Sequence, residues 1–435
     1  RQHFDEVKEA RQRHKLTKGL DTEFNELTGA DELYERLRQD ADKIQNDSEA
    51  LDKTKLSQIK QMHEKREILE DPRMQQLEKR MWSMTAHFDQ GKYVLSNQPA
   101  QQSRDLLLKK IAEEDSLEGL NLTRADLSGL VFKNLDFSFA IFKQADLSCA
   151  VFDNCRFHES AFSFAKLAGT EFKQCQFEAS NFNQSRFKDV RFDECSFSKM
   201  IAHELSFDAC DFNACTIAES IWQYAELSNS RFNQCSADGF AWLHNRAENC
   251  HFDECEWSRC ALTECQLKQT AFDDNYLFRM AMTYVQLAQV SFKSSWMEAL
   301  SIISEQILLD IDFSDSYIKN SCLRKLNYKA CQFDRAIIEN SDFSLSSFSD
   351  ISAVDMELPD AVFMRTRFTG ADFSRANLTN AMFTHAEFSA VNFTHVNFFR
   401  CEMGHTVVKD DCIEHENYLE QIQLEPSERE VSDGV

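Results

Sequence analysis

Fifteen cysteines and twelve histidines are the side chains of this 435-residue chain best suited to metal or redox chemistry. Zinc and redox sites pair cysteines across a short loop, as CxxC, and no CxxC occurs. Six cysteines, Cys155, Cys175, Cys195, Cys215, Cys235 and Cys255, instead recur every twenty residues, and the positions of Cys210, Cys250, Cys260, Cys265, Cys331 and Cys401 obey a shorter rule described below. His385, His395, His405 and His415 recur every ten, which would place 385 with 405 and 395 with 415 in two stacked pairs. A metal needs three or four ligands, and neither pair has an obvious thiolate or carboxylate converging on it. No Ser-His-Asp order, phosphate-binding glycine loop, HExxH or nucleophile elbow appears. The expectation is a protein without catalytic machinery, metal or cofactor.

What must position these residues is a repeat with a period of five. Large apolar residues stand at Leu117, Leu122, Leu127, Phe132, Phe137, Phe142, Leu147, Phe152 and onward in one phase to Ile307, then one residue out of phase from Phe313 to Ile413 and Tyr418. Two residues before each sits a small one, such as Ala125, Ala145, Cys155, Cys175, Ser180, Ala371 or Ala381, and twelve of the fifteen cysteines occupy this position. Five fits neither the 3.6-residue period of a helix nor the alternation of a strand, so each unit must turn a corner and point two side chains inward. Cysteines twenty apart then form one interior column, where a thiol acts as a small apolar filler. Phe outnumbers Tyr and Trp together by 37 to 13, which suits a stack of flat rings, while four Pro and ten Gly argue against a sandwich or barrel.

The segments ADLSG (125–129), ADLSC (145–149), ADFSR (371–375) and ANLTN (376–380) resemble the A(D/N)LXX consensus of pentapeptide-repeat proteins over about 300 residues. That resemblance implies an all-β right-handed quadrilateral β-helix with four units per coil, here with an N-terminal α-helical region. About fifteen coils at a strand spacing of ~4.8 Å would extend roughly 70 Å. The expected domains are a helical region and cap (1–115), the repeat (116–418) and an acidic tail (419–435). In the first, Leu33, Leu37, Ile44 and Leu51 form one loose helical stripe and Leu56, Ile59 and Met62 another, and residues 104–112 form a last helix docking on the first coil. Arg1 in place of Met implies a piece of something longer.

Three places break the rule. Around Ala237, Trp242 and Ala247 the size order reverses, with Phe240 and Asn245 at small positions; the phase slips at 303–312, predicting a bulge or corner loop; and the pattern weakens from Ala353 to Pro359.

Residues 1–110 carry 21 basic and 21 acidic side chains, so the whole net charge of −24 lies in the remainder. Such a surface repels nucleic-acid phosphates and anionic membranes, and no stretch is apolar enough to span a bilayer. One outward register of twenty is nonetheless apolar: Ile141, Ala161, Ile201, Ile221, Ala241, Ala261 and Ala281, interrupted by Asn181. Such a stripe marks either a docking surface for a protein partner or a seat for this chain's own N-terminal helices. The order of RDLLLKKIAEE (104–114) followed by SLEGLNLTRADLSGLVFKNLDF (116–137) resembles the C-terminal half of bacterial type VI secretion-associated pentapeptide-repeat proteins. That likeness implies an effector adaptor or chaperone in the bacterial cytoplasm, delivered with the apparatus and partnered by a secreted effector or spike component. The alternative, by resemblance to the quinolone-resistance pentapeptide proteins, is a DNA-mimicking inhibitor of a type II topoisomerase.

Overall fold

The computed structural model describes residues 100–409 and 411–415. The expected helical stripes of residues 33–62, Tyr418 and the acidic tail lie outside the described residues. The chain divides into two compact units, residues 1–65 and 66–435, and everything described belongs to the second.

Helix α1 (Ala100–Ala112) precedes the repeat. Its Leu107 is fully buried in the same apolar core as Leu117 and Leu122, and the Arg104 guanidinium donates to the Asp126 carbonyl oxygen at 2.8 Å. The helix thereby packs on the first coil, beside backbone groups that have no preceding coil to pair with.

Beyond α1 the chain winds into a four-sided parallel β-solenoid of about 14 turns. Each side is one five-residue unit with its central residue inside. The residue two places after the centre has φ between +46° and +68°, from Gly119 to Ala299 and again from Asp310 to His405, and only five of these positions are glycine. A left-handed non-glycine residue costs roughly 1–2 kcal/mol, so each corner stores strain that coil-to-coil pairing must outweigh. Several corners close with an i+3 to i bond, as from the Ala125 N–H to the Leu122 carbonyl at 3.0 Å, the pattern of a type II turn. Scarce glycine therefore does not mean scarce tight turns. Here other residue types make them.

Pairing between coils is parallel and advances by twenty residues, as in Val131↔Val151, Phe132↔Phe152 and Ile221↔Ala241. Like side chains therefore stack on like. On one side Phe132, Phe152, Phe172, Phe192, Phe212, Phe232, Phe252, Phe272, Phe292, Phe313 and Phe333 form a continuous column of near-parallel rings with centroids 4.3–5.4 Å apart. This separation brackets the ~4.8 Å strand spacing, so a flat ring fills one coil height and meets its neighbour in contact. The excess of Phe follows from that fit.

The breaks resolve differently from one another. Around Trp242 the pairing stays at twenty and no bulge forms. Phe240 enters the core from a small position while Ala237 and Ala247 make room at central ones, and Asn245 is satisfied by accepting from the Ala225 N–H (2.8 Å) and donating to the Trp222 carbonyl (3.0 Å). Ala353 and Met356 exchange sizes in the same way. Pro359, which cannot donate, serves as an acceptor for the Asn340 N–H at 3.1 Å.

The phase slip is a real insertion, and its position corrects the sequence reading. Ile302 is the last interior residue of the first phase; Ile307 is 55% exposed, and Leu308 takes the next interior place. Pairing accordingly changes from Thr283↔Ile303 to Ala288↔Leu309, an advance of twenty-one. The Ser304 hydroxyl holds the enlarged corner, donating to the Val285 carbonyl at 2.8 Å and accepting from the Gln306 N–H at 3.1 Å. A second advance of twenty-one, Asn392↔Ile413, occurs in the last described coil. Ile413, expected inside, is 59% exposed as a result.

Candidate docking faces

The Cys155 to Cys255 column stands as the spacing predicts. Each thiol of Cys175, Cys195, Cys215, Cys235 and Cys255 donates to the carbonyl twenty-three residues earlier at 3.3–3.4 Å, making a buried file of satisfied small groups. Burial pushes isolated interior thiols up, Cys210, Cys265 and Cys401 to about 12 and Cys250, Cys260 and Cys331 to about 11. Such thiols stay protonated and hidden. His385 and His405 stack with ring centroids 4.8 Å apart. The side chain of His415 lies outside the described residues, and among those described no three His, Cys, Asp or Glu side chains converge on a metal position.

Two outward faces carry more apolar surface than a polar shell requires. On the first, the side whose interior column runs Phe137, Phe157, Phe177, Phe197, the outward residues are Ser196, Thr216, Ser236 and Glu256 until the column turns aromatic at Tyr276, Trp296 and Tyr317. On the second, whose interior column runs Phe142, Phe162, Phe182, the apolar register read from the sequence runs in two stretches, with Asn181 between them. Bridges join Ile141 to Ala161 and Ala161 to Asn181, and paired strands join Ile201, Ile221, Ala241, Ala261 and Ala281.

Exposure along the second face is uneven. Ile141, Ile221, Ala241, Ala261 and Ala281 are half-buried, whereas Ala161 and its face neighbour Ser163 are fully buried although both alternate away from the interior. Nothing is described for the Ile201 side chain. Beside the alanines lies a second file, Leu243, Thr263 and Thr283, with the two threonine hydroxyls 3.4 Å apart. At the adjoining corner Tyr224 stacks on His244 at 4.8 Å, and His244 Nδ1 pairs with Glu264 at 2.8 Å. Partial burial pushes the Glu264 carboxyl up. The sequence stripe omitted this corner and the Leu243 file, since neither repeats over enough coils to show as a period.

Surface charge is organised in the same files. Arg335 grips Asp315 at 2.5 and 2.7 Å and Arg375 grips Asp355 at 2.7 and 2.6 Å, both as two-pronged pairs one coil apart. The arginines hold both carboxyls below the usual carboxylate range. No helix among the described residues is long and apolar enough to cross a membrane.

Among the described residues, the parallel solenoid has a filled interior, left-handed corners and polar side chains on flat outer faces, the form of a scaffold fold. Models of the pentapeptide-repeat family match residues 121–158, 136–174 and 361–398 ("Pentapeptide repeats (8 copies)") and 165–242 ("Pentapeptide repeat region"), so the solenoid is built of pentapeptide repeats in these stretches. Among solved structures it is similar to HetL, a pentapeptide repeat protein involved in heterocyst differentiation regulation from the cyanobacterium Nostoc sp. strain PCC 7120. That match is 13% identical, covers 73% of this chain and 92% of that one, and has a TM-score of 0.13. Full-length QnrB1, a plasmid-mediated fluoroquinolone resistance protein, matches at 16% identity over 51% of this chain and 96% of that one, with a TM-score of 0.19. No curated protein sequence matches the chain.

Proposed function

We propose that this chain is a non-enzymatic protein-binding scaffold, and that the apolar file Ile141, Ala161, Ile201, Ile221, Ala241, Ala261 and Ala281 contributes to the surface it offers. The observation that carries the reading is the register: residues twenty apart are direct neighbours on one face, so Ile201, Ile221, Ala241, Ala261 and Ala281 become a contiguous strip on a strongly acidic solenoid. The small side chains of Ala241, Ala261 and Ala281 leave a flat track on which a partner helix or strand can approach closely. A polar shell elsewhere supplies solubility.

In the finer reading, the chain is an effector adaptor or chaperone of a bacterial type VI secretion system, binding a secreted effector or spike component. The support is the order of a capping helix at 100–112 followed at once by the repeat, together with the acidic face. The test is co-purification of the full chain with the effectors and spike protein encoded beside its gene. Retention by the wild type and loss with Ile221→Asp support the reading; stoichiometric inhibition of gyrase supercoiling without effector binding would replace it with the DNA-mimic alternative.

A further inference from the structure

We propose that the first face, at Tyr276, Trp296 and Tyr317, is a docking site for a proline-rich, basic segment of a partner protein in the polyproline II conformation. This surface is separate from the alanine track and does not depend on it.

Nothing in the solenoid requires aromatic rings here. The same outward file holds the polar Ser196, Thr216, Ser236 and Glu256 in earlier coils, and after Tyr317 it continues with Ile337 and then Glu357, neither of them aromatic. Tyr276 is 39% and Trp296 45% exposed, and Trp296 packs on Tyr317 with centroids 4.4 Å apart at 48°. Phe278 widens the platform, lying parallel to Tyr276 at 6.2 Å, with the Arg279 guanidinium 4.9 Å from its ring. The Tyr317 hydroxyl is fixed by donating to Glu339, which also holds Lys319 at 2.9 Å. Exposed Trp and Tyr held in place by neighbours are the residue types that dominate binding energy when a partner covers them.

Three features select the occupant. The backbone of this face is already consumed: the N–H groups of Tyr276, Trp296 and Tyr317 donate to Cys255, Asn275 and Ser295 at 2.8–2.9 Å. A strand cannot be added on the face, so recognition must run through side chains, and a polyproline II segment needs no backbone ladder of its own. Tyr276 to Tyr317 spans two coil spacings, ~9.6 Å, close to the ~9.3 Å of one three-residue polyproline turn, so prolines at i and i+3 meet the two ends of the platform. Glu256 lies in register beside Tyr276 and Glu298 beside Phe278, a charge complement to Lys or Arg beside the prolines, while the neighbouring Lys319 is already held by Glu339.

The test uses the full chain and a fluorescent synthetic decapeptide carrying two Pro-x-x-Pro turns and a terminal pair of arginines, read by anisotropy at low and high salt. Saturable binding is expected. Trp296→Ala should weaken it about tenfold or more, Glu298→Gln should weaken it less and flatten its salt dependence, and Leu345→Gln, elsewhere on the surface, should leave it unchanged. Because Trp296 lies outside the core, the thermal midpoint of Trp296→Ala should match the wild type, which separates lost binding from lost fold. The proposal is overturned if the wild type does not bind, if a peptide with every proline replaced by alanine binds equally well, if Trp296→Ala binds as the wild type does, or if a neutral oligosaccharide competes the peptide from the same rings.

Discussion

Trp296 packs against Tyr317 across twenty-one residues, one more than separates Tyr276 from Trp296. The inserted residue falls in the corner between Ile302 and Leu308, so the coil absorbs it without losing the columns on either side: Phe292 still meets Phe313 at 5.3 Å and 9°. An insertion that keeps both stacks intact is a local adjustment of one corner.

That placement makes a sharp prediction for two adjacent residues. Leu308→Ala removes a fully buried side chain and should cost about 2–5 kcal/mol, whereas Ile307→Ala, at an exposed position, should change stability by less than about 0.5 kcal/mol. Chemical denaturation of the two variants checks the register, and the opposite order would restore the uninterrupted first phase.

Tyr328 sits in an interior column directly on Phe348, at 4.5 Å and 2°, and its buried hydroxyl has no hydrogen-bond partner among the described residues. Tyr328→Phe removes the unsatisfied group without changing the ring, and should stabilise the protein by about 1 kcal/mol. An equal loss would mean that the hydroxyl is bonded.

The corners give a test of opposite sign. Gly370 has φ +67°, and an added Cβ would lie 2.7 Å from Asp350 Oδ1, so Gly370→Ala should cost about 1–2 kcal/mol. Ala209 is exposed at φ +52° with nothing to lose but its Cβ, and Ala209→Gly should be neutral or stabilising, within about 1 kcal/mol. Thermal unfolding of the pair measures the left-handed strain directly.

Interior thiols set an alkaline limit. Because burial raises Cys210, Cys265 and Cys401 to about 12 from the ordinary thiol value of 9.0, the folded chain holds protons that the unfolded chain releases first. Their contribution is intact below about pH 9 and falls as pH rises towards 12, by up to about 1.4 kcal/mol per pH unit per thiol. At neutral pH a thiol reagent should label exposed Cys149 and Cys322 and half-buried Cys412 in the native chain, and the twelve buried thiols only after denaturation.

Much of this was legible because a five-residue period repeats a decision many times: interior and exterior, the Cys155–Cys255 column, the size reversal at Phe240, the weakened pattern from Ala353 to Pro359 and a slip within 303–312 all follow from side-chain size and spacing. What escaped has a physical cause in each case. Ile307, Leu308 and Leu309 are equally apolar, so hydrophobicity alone cannot assign which one faces inward; only the pairing of Leu309 with Ala288 decides. The aromatic file was hidden because a constant step of twenty from Trp296 arrives at Ser316, while the true neighbour is Tyr317. Left-handed corners gave no signal, since the residues there are mostly not glycine. The buried state of Ala161 could not be read from its apolar character either, for an outward alanine is ordinarily half-exposed on such a face.

The claim that an outer face of this solenoid holds a protein partner is tested most directly by titrating a purified effector from the neighbouring genes into the wild-type chain and into Ile221→Asp in a calorimeter. Affinity reduced by about tenfold or more with an unchanged thermal midpoint is the expected result, since a charge facing a desolvated apolar track must be buried unpaired. Equal affinities for the two proteins would contradict the account.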